Sequence, residues 1–326
     1  MFHPPWMMRN SHVQTLAGAY VFSSFPDRQS VPQLTSSIVE VSLADGDRLV
    51  YHDDCPIDWQ PGDRIAILLH GLSGSYISPY MIRTARQFVR KNVRAVRVDW
   101  RGSGAGMALA RYPYHSGRAA DLQAVIDNLN SLYPTSPLGV VGYSMGGNIL
   151  LKMLGESISP ITSKQAVTRA VAVCPPIDLT VTIEFLRHGL ARWYDHYFAK
   201  ACIRDVRRRQ LVCPEAVIPD GWFQRPPQTL REFDDSFTAP VCGFDSAADY
   251  YLKSSAKQFL PGIEQPTLII AAQDDPVVPF TPYHDAQLSS TTKLLGPRYG
   301  GHVGFVTTKG ASWLDRHVVD WVTCDD

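Results

Sequence analysis

The stretch Leu138-Gly-Val-Val-Gly-Tyr-Ser-Met-Gly-Gly-Asn-Ile-Leu-Leu151 predicts a strand, a sharp turn and a helix in direct succession. Its first four residues are short or apolar, as in a buried strand, and good helix formers follow the turn. Between them, residues 142–146 have the G-x-S-x-G spacing of a turn that presents a nucleophile at a sheet edge. Such a turn strains the backbone at its centre, and only glycine fits on either side. We therefore predict that Ser144 is an exposed nucleophile beside a helix N-terminus, the alternative being a Gly-rich structural turn.

Short apolar strands alternate with amphipathic helices on both sides of this turn. Helical faces are predicted after Ser78-Pro79, around Leu122 and around Trp313. Strands are predicted at Ser36–Ser42, Arg48–His52, Ile65–Leu69, Ala95–Trp100, Leu138–Val141, Ala170–Cys174, Thr267–Ala271 and Lys293–Leu295. This alternation predicts an α/β fold, with a mostly parallel central sheet covered by helices on both faces. Functional loops of such sheets lie at the carboxyl ends of the strands, where Ser144 falls.

A serine nucleophile needs a histidine base and an acid that orients it, here in the chain order serine, acid, histidine. Two carboxylates, Asp274 and Asp275, directly follow a late strand. Asp275 is preferred because Pro276 stiffens the turn that presents it, which leaves Asp274 a supporting or capping role. Asp178, after the preceding strand, is a further candidate for the acid.

The candidate base is His302, which lies between the last strand and the closing helix in Tyr299-Gly-Gly-His-Val-Gly-Phe305. Flanking glycines permit the tight turns that a close approach to Ser144 requires. The other late histidines fit different roles, His284 on a helix face and His317 in helix packing.

An oxyanion formed at Ser144 would need two N–H donors. One is the backbone N–H of Met145, directly after the serine, and the other belongs to a loop after an early strand. The loop His70-Gly-Leu-Ser-Gly74 follows the strand at 65–69 and offers the N–H of Leu72. We expect His70 itself to be a structural hydrogen-bonding residue.

The alternation of strands and helices stops between Pro176 and Thr267. Leu186, Leu190, Trp193, Tyr197 and Ala201 follow helical spacing there, and the segment is rich in aromatic residues. We predict a helical lid insertion at 178–261 in a core formed by 36–177 and 262–326, preceded by an N-terminal arm at 1–35 wrapped on the surface. The alternative is a helical excursion that packs elsewhere.

Composition excludes several classes of protein. The 326 residues carry 31 basic and 31 acidic side chains, without the basic surplus of a nucleic-acid binder. The six scattered cysteines suggest free thiols in a reducing compartment, and no signal peptide or membrane-spanning run is evident, so we expect a cytoplasmic protein.

The loop Trp100-Arg-Gly-Ser-Gly-Ala-Gly106 lacks the third glycine of a dinucleotide fingerprint. We expect no metal and no cofactor, and the oligomeric state is left open.

The assembled motifs resemble those of the α/β-hydrolases, and closely those of the YheT-like family. The resemblance rests on 11–16, 70–74, 114–117, 142–148, 231–238, 243–244, 249–251, 274–276 and 301–302. It implies a carboxylic-ester hydrolase with a small-molecule ester or lipid substrate; some relatives are lipases, phospholipases or acyl-ester synthases. Eukaryotic relatives carry an N-terminal membrane anchor, and this sequence resembles the soluble bacterial branch. A serine esterase is preferred, the rivals being an acyltransferase that passes the acyl group to an alcohol and a non-catalytic binding protein.

Overall fold

A single eight-stranded sheet forms the centre of the protein in the computed structural model, which describes residues 2–21, 34–156, 166–308 and 312–324. The strand order is β1-β2-β4-β3-β5-β6-β7-β8. The strands are β1 Ser37–Ser42, β2 Arg48–Asp54, β3 Ile65–Leu69, β4 Arg94–Asp99, β5 Leu138–Tyr143, β6 Val167–Val173, β7 Thr267–Ile270 and β8 Thr292–Leu295.

Seven of these strands point in the same direction, and only β2 is reversed. Only β1 with β2 and β2 with β4 pair antiparallel, as expected for a chain that enters the sheet through an opening hairpin. From β4 to β8 each neighbouring pair is parallel, with Ile67 opposite Val96 on one side and Val140 on the other. The predicted fold class, an α/β-hydrolase with a mostly parallel sheet, is confirmed.

Helices cover both faces of the sheet because the central strands are apolar on both sides. On β3, Ile67 packs with the cluster that contains Leu122 and Ile149, whereas Leu68 packs with the cluster that contains Phe88 and Val318. The helices are α1 Ser11–Leu16, α2 Pro79–Arg90, α3 Ala119–Leu132, α4 Met145–Gly155, α5 Leu179–Leu186, α6 Arg192–Val212, α7 Leu230–Phe233, α8 Ala239–Cys242, α9 Ala247–Ser254 and α10 Ser312–Thr323. None of the helices among the described residues has the length and apolarity needed to span a membrane.

Helices α5 to α9 lie in the segment between β6 and β7, which has an apolar cluster of its own. The predicted amphipathic helix exists as α6, but its buried face differs from the predicted one. Tyr194, Cys202 and Val206 are buried, whereas Trp193 is 56% exposed. The predicted spacing also starts too early, because Leu186 ends α5 and the chain turns before α6 begins.

Candidate active site

Ser144 occupies the sharp turn between β5 and α4. Its backbone has φ 50° and ψ −119°, a conformation that non-glycine residues rarely adopt. Main-chain atoms surround the turn so closely that a Cβ built on Gly146 would lie 2.7 Å from the carbonyl oxygens of Leu69 and His70. The sequence folds in this way because glycine lets α4 begin directly against the end of β3. Ser144 therefore stands at the carboxyl edge of the sheet, at the N-terminus of α4.

His302 lies within hydrogen-bond distance of both Ser144 and Asp275. Its Nε2 is 3.0 Å from the Ser144 hydroxyl, and its Nδ1 is 2.8 Å from Oδ2 of Asp275. The other oxygen of Asp275 accepts hydrogen bonds from the N–H groups of Val277 and Val278, at 2.8 and 2.9 Å. Because these bonds fix the carboxylate, the imidazole N–H at Nδ1 has a preorganised acceptor and Nε2 is left to accept from the serine.

The structure places the other candidates in different positions. Asp274 accepts a hydrogen bond from the N–H of Gly301, so it braces the loop that carries His302, and burial raises its pKa. Asp178 caps α5 by accepting from the N–H of Val181. His284 is exposed beside Phe280, and the Nδ1–H of His317 donates to the carbonyl of Trp313, one turn earlier in α10.

The loop after β3 approaches Ser144 closely. A Cβ built on Gly71 would lie 3.1 Å from Cβ of the serine, and the N–H of the next residue, Leu72, has no hydrogen-bond partner among the described residues. His70 holds this loop, since its Nδ1–H donates to the Gly71 carbonyl and its Nε2 accepts from the Trp100 N–H. Burial lowers the pKa of His70, as expected for a neutral structural imidazole.

The N-terminal segment also supports the site, which the sequence reasoning missed. The hydroxyl of Thr15 accepts the N–H of His302 at 2.9 Å. Gln14 is fully buried and bonds both the N–H and the carbonyl of Val306. The family-like run at 11–16 is the signal in the sequence, but it lies within the predicted surface arm, and that prediction gives it no contact with the site.

Two cavities meet at Ser144. One lies beneath the segment between β6 and β7, is largely apolar, and contains about 1040 Å³ of space not occupied by atoms. The other, of about 1050 Å³, passes His302 and the exposed side of α6. Each volume includes space open to solvent. Both cavities are lined by Leu72, Ser144, Phe198 and Val277, so a bound molecule could extend from the serine in two directions.

Cys174 lies behind the histidine, and its Sγ accepts the N–H of Val303 at 3.5 Å. Its sulfur and the ligand atoms of Asp275 and His302 lie within 4.8 Å of one another. Burial raises the pKa of the thiol well above its usual range, which opposes the thiolate that a metal ion would bind. The donor set therefore fits a hydrogen-bonded neutral thiol better than a metal site.

Known proteins resemble this chain in sequence and fold. The family model described as alpha/beta hydrolase fold matches residues 67–308. YheT of Escherichia coli, a candidate esterase, is 30% identical over 87% of this chain and 83% of its own length. A monoacylglycerol lipase of Saccharomyces cerevisiae is 27% identical over 80% of this chain, but over only 59% of its own.

Solved structures extend this likeness to the fold. An esterase of Pyrococcus furiosus superposes with a TM-score of 0.57 at 18% identity, covering 89% of this chain and 92% of that one. At that identity the likeness concerns the fold alone. The family match covers most of the described sheet, and the similarity to YheT covers most of both chains. The chain therefore belongs to the alpha/beta hydrolase family, in its YheT-like branch.

Proposed function

We propose that the chain is a serine carboxylic-ester hydrolase that acts through an acyl-enzyme on short- to medium-chain acyl or lipid esters. The observation that carries the proposal is the line of hydrogen bonds from Asp275 through His302 to Ser144, at 2.8 and 3.0 Å. This is the arrangement in which a serine hydroxyl gains a general base and the base gains an orienting carboxylate.

The reaction has two halves. Ser144 Oγ attacks the ester carbonyl while Nε2 of His302 takes its proton, and Asp275 stabilises the resulting imidazolium. His302 then returns the proton to the leaving alcohol, which leaves the acyl group on the serine. In the second half His302 activates a water molecule, which releases the carboxylic acid and regenerates Ser144.

The oxyanion would be held by the N–H groups of Leu72 and Met145. The Met145 N–H is at the first position of α4, where helical N–H groups have no intrahelical acceptor. The Leu72 N–H lacks a partner among the described residues, and its loop lies against Ser144. Loss of one such donor typically lowers the rate about 10²- to 10³-fold.

The substrate class follows from the apolar cavity and from the relatives. The cavity beneath the segment between β6 and β7 is lined by apolar side chains such as Leu179, Ile183 and Phe237, which fit an acyl chain. The similarity to an esterase candidate and to a monoacylglycerol lipase agrees with an ester of a small molecule or lipid. We propose that residues 178–261 act as the lid of this cavity, with 36–177 and 262–326 as the core.

A fluorophosphonate probe tests the nucleophile. We expect the probe to label the wild-type protein, Ser144→Ala to abolish labelling, and His302→Ala to slow it strongly. The matched control is Ser37→Ala on the exposed edge strand β1, which should be labelled like the wild type. Labelling that persists in Ser144→Ala, or folded wild-type protein that is never labelled, would overturn the proposal.

Product analysis tests the fate of the acyl group. With p-nitrophenyl esters of graded chain length, the hydrolase proposal requires free carboxylic acid as the main product even when an alcohol is added. Predominant formation of the new ester would instead identify an acyltransferase.

A further inference from the structure

Arg209 lines the apolar cavity that starts at Ser144, and its buried guanidinium is only partly hydrogen-bonded. The residue is on α6, is only 3% exposed, and is among the cavity-lining residues. Its Nη2 donates to the carbonyls of Ala110 and Arg111, at 3.0 and 2.9 Å. Nε and Nη1 have no hydrogen-bond partner among the described residues. A guanidinium has five N–H donors, so three of them remain unused.

No carboxylate of the described residues lies within 4.0 Å of this guanidinium. Asp205 comes one helical turn earlier but interacts with the hydroxyl of Ser73. Asp234, also at the cavity, accepts hydrogen bonds from Thr238 and Tyr251. Burial lowers the pKa of Arg209, and the carboxylate of Asp47 opposes this effect only in part. Asp47 itself accepts hydrogen bonds from Arg101 and Arg111. Buried cations in proteins are nearly always paired, so this one calls for a partner that binds there.

Arg209 lies further along α6 than the part of the helix that lines both cavities. Phe198 lines both cavities at their junction beside Ser144, and Cys202, Val206 and Arg209 continue along the same face of α6. Arg209 comes eleven positions after Phe198, which at 1.5 Å per residue places it about 16 Å further along the helix. A chain bound from Ser144 along this face would therefore cross apolar surface and end at a cation.

We propose that Arg209 binds a carboxylate at the far end of the acyl chain, and that the preferred substrates are monoesters of straight-chain dicarboxylic acids. A carboxylate carries one negative charge against one guanidinium and accepts several N–H donors, so it satisfies the free donors and neutralises the buried charge. A methyl-terminated chain of the same length would leave three buried donors without acceptors. The inference rests on the proposed esterase function: water and the monoester give the dicarboxylate, the alcohol and a proton.

Matched ester pairs test this inference. Each pair consists of the p-nitrophenyl monoester of a straight-chain dicarboxylic acid and the p-nitrophenyl ester of the monocarboxylic acid with the same number of carbons. We expect the wild-type enzyme to show at least a tenfold higher kcat/KM for the carboxylate-ended member at one chain length. Loss of a hydrogen-bonded ion pair then predicts that Arg209→Met lowers this ratio roughly ten- to hundredfold.

The matched control variant is Arg208→Met, which removes the same charge from the neighbouring, exposed position of α6. We expect it to keep the wild-type ratio, since its side chain does not line the cavity. A methyl-terminated preference at every length, or a ratio that Arg209→Met leaves unchanged, would show that water satisfies the guanidinium and would overturn the inference.

Binding measurements separate this inference from the proposed function. In Ser144→Ala, calorimetry should show at least tenfold tighter binding of the dicarboxylate monomethyl ester than of the monocarboxylate methyl ester of equal length. This comparison needs no Arg209 variant, so it decides the inference even if Arg209→Met does not fold. If the wild type hydrolysed neither member of a pair while this binding preference held, the esterase proposal would fail and the carboxylate site would stand. Equal affinity for the two methyl esters would overturn the proposal that Arg209 binds a carboxylate.

Discussion

The main-chain N–H of His302 donates a hydrogen bond to the hydroxyl of Thr15 over 2.9 Å, across 287 positions of sequence. Thr15 is buried, and its own hydroxyl proton is donated to the carbonyl of Ser11, one turn earlier in α1. The N-terminal helix is thereby connected to the loop that carries the candidate base. His302 is thus held from two sides, by Asp275 at its ring and by Thr15 at its backbone.

The first prediction concerns Thr15→Val, which keeps the shape of the side chain and removes the acceptor. An unsatisfied buried N–H costs about 1–3 kcal/mol, and the His302 loop can relieve it by shifting. We expect kcat on a p-nitrophenyl ester to fall roughly tenfold with little change in KM, because the base moves while the acyl cavity does not. Thr180→Val, at an exposed position of α5, is the control and should behave as the wild type. A Thr15→Val enzyme with unchanged kcat would show that Asp275 alone positions the ring.

The second prediction separates the two neighbouring carboxylates. In Asp275→Asn the amide oxygen can still accept from the N–H groups of Val277 and Val278, which turns the NH₂ group toward Nδ1 of His302. This favours the wrong tautomer, and we expect kcat to fall by about 10⁴-fold. In Asp274→Asn an oxygen still accepts from the Gly301 N–H, so the loss should be less than tenfold. Steady-state kinetics of the two variants measure these losses of kcat. A larger loss in Asp274→Asn than in Asp275→Asn would assign the role of the acid to Asp274.

The parts of the site that sequence reasoning located depend on local patterns. The turn at 142–146 has a strand before it and a helix after it within eighteen residues, so its conformation is encoded locally in the sequence. Asp275 and His302 each follow one of the last two strands that the sequence predicts. The fold implies that the acid precedes the histidine along the chain. The part played by Thr15 could not be found in the same way, because it depends on a contact between the two ends of the chain.

The buried face of α6 shows a second limit. Trp193 and Tyr197 have the spacing of a core-facing stripe, yet both are exposed, while Arg209 is buried. Helical periodicity identifies which residues share a face of a helix. Which face becomes buried depends on the segments, distant in sequence, that pack against the helix. Here the carbonyls of Ala110 and Arg111 accept hydrogen bonds from the buried Arg209 guanidinium, whereas arginine side chains are usually exposed.

The third prediction tests the close packing of the serine turn. A methyl group on Gly146 would meet two main-chain carbonyls at 2.7 Å, and neither can move without shifting β3. We therefore expect Gly146→Ala to lower the free energy of unfolding by about 2 kcal/mol or more and to abolish labelling of Ser144. Gly106→Ala is the control, because its Cβ would meet Val50 at an ordinary 3.5 Å. Urea unfolding and probe labelling of both variants provide the measurement; equal stability of the two would show that the turn can adapt.

The last prediction concerns Asp234, whose pKa burial raises to about 7 despite hydrogen bonds from Thr238 and Tyr251. In the unfolded chain the same carboxyl ionises near 3.9. Between these values the folded state holds more protons than the unfolded state, so the free energy of unfolding falls as the pH rises through this window. The contribution of the neutral carboxyl is complete below about pH 4 and is lost as the pH passes 7.

Asp234→Asn cannot ionise, so its stability should exceed that of the wild type by an amount that grows by about 2 kcal/mol from pH 5 to pH 8. Urea unfolding of both proteins across this range measures the difference. The control is Asp220→Asn, since that carboxyl is exposed and is not among the groups that shift the pKa of Asp234, so its substitution should leave the pH dependence of the wild type in place. Parallel stability curves for the wild type and Asp234→Asn would mean that the carboxylate is already ionised in the folded protein at pH 5.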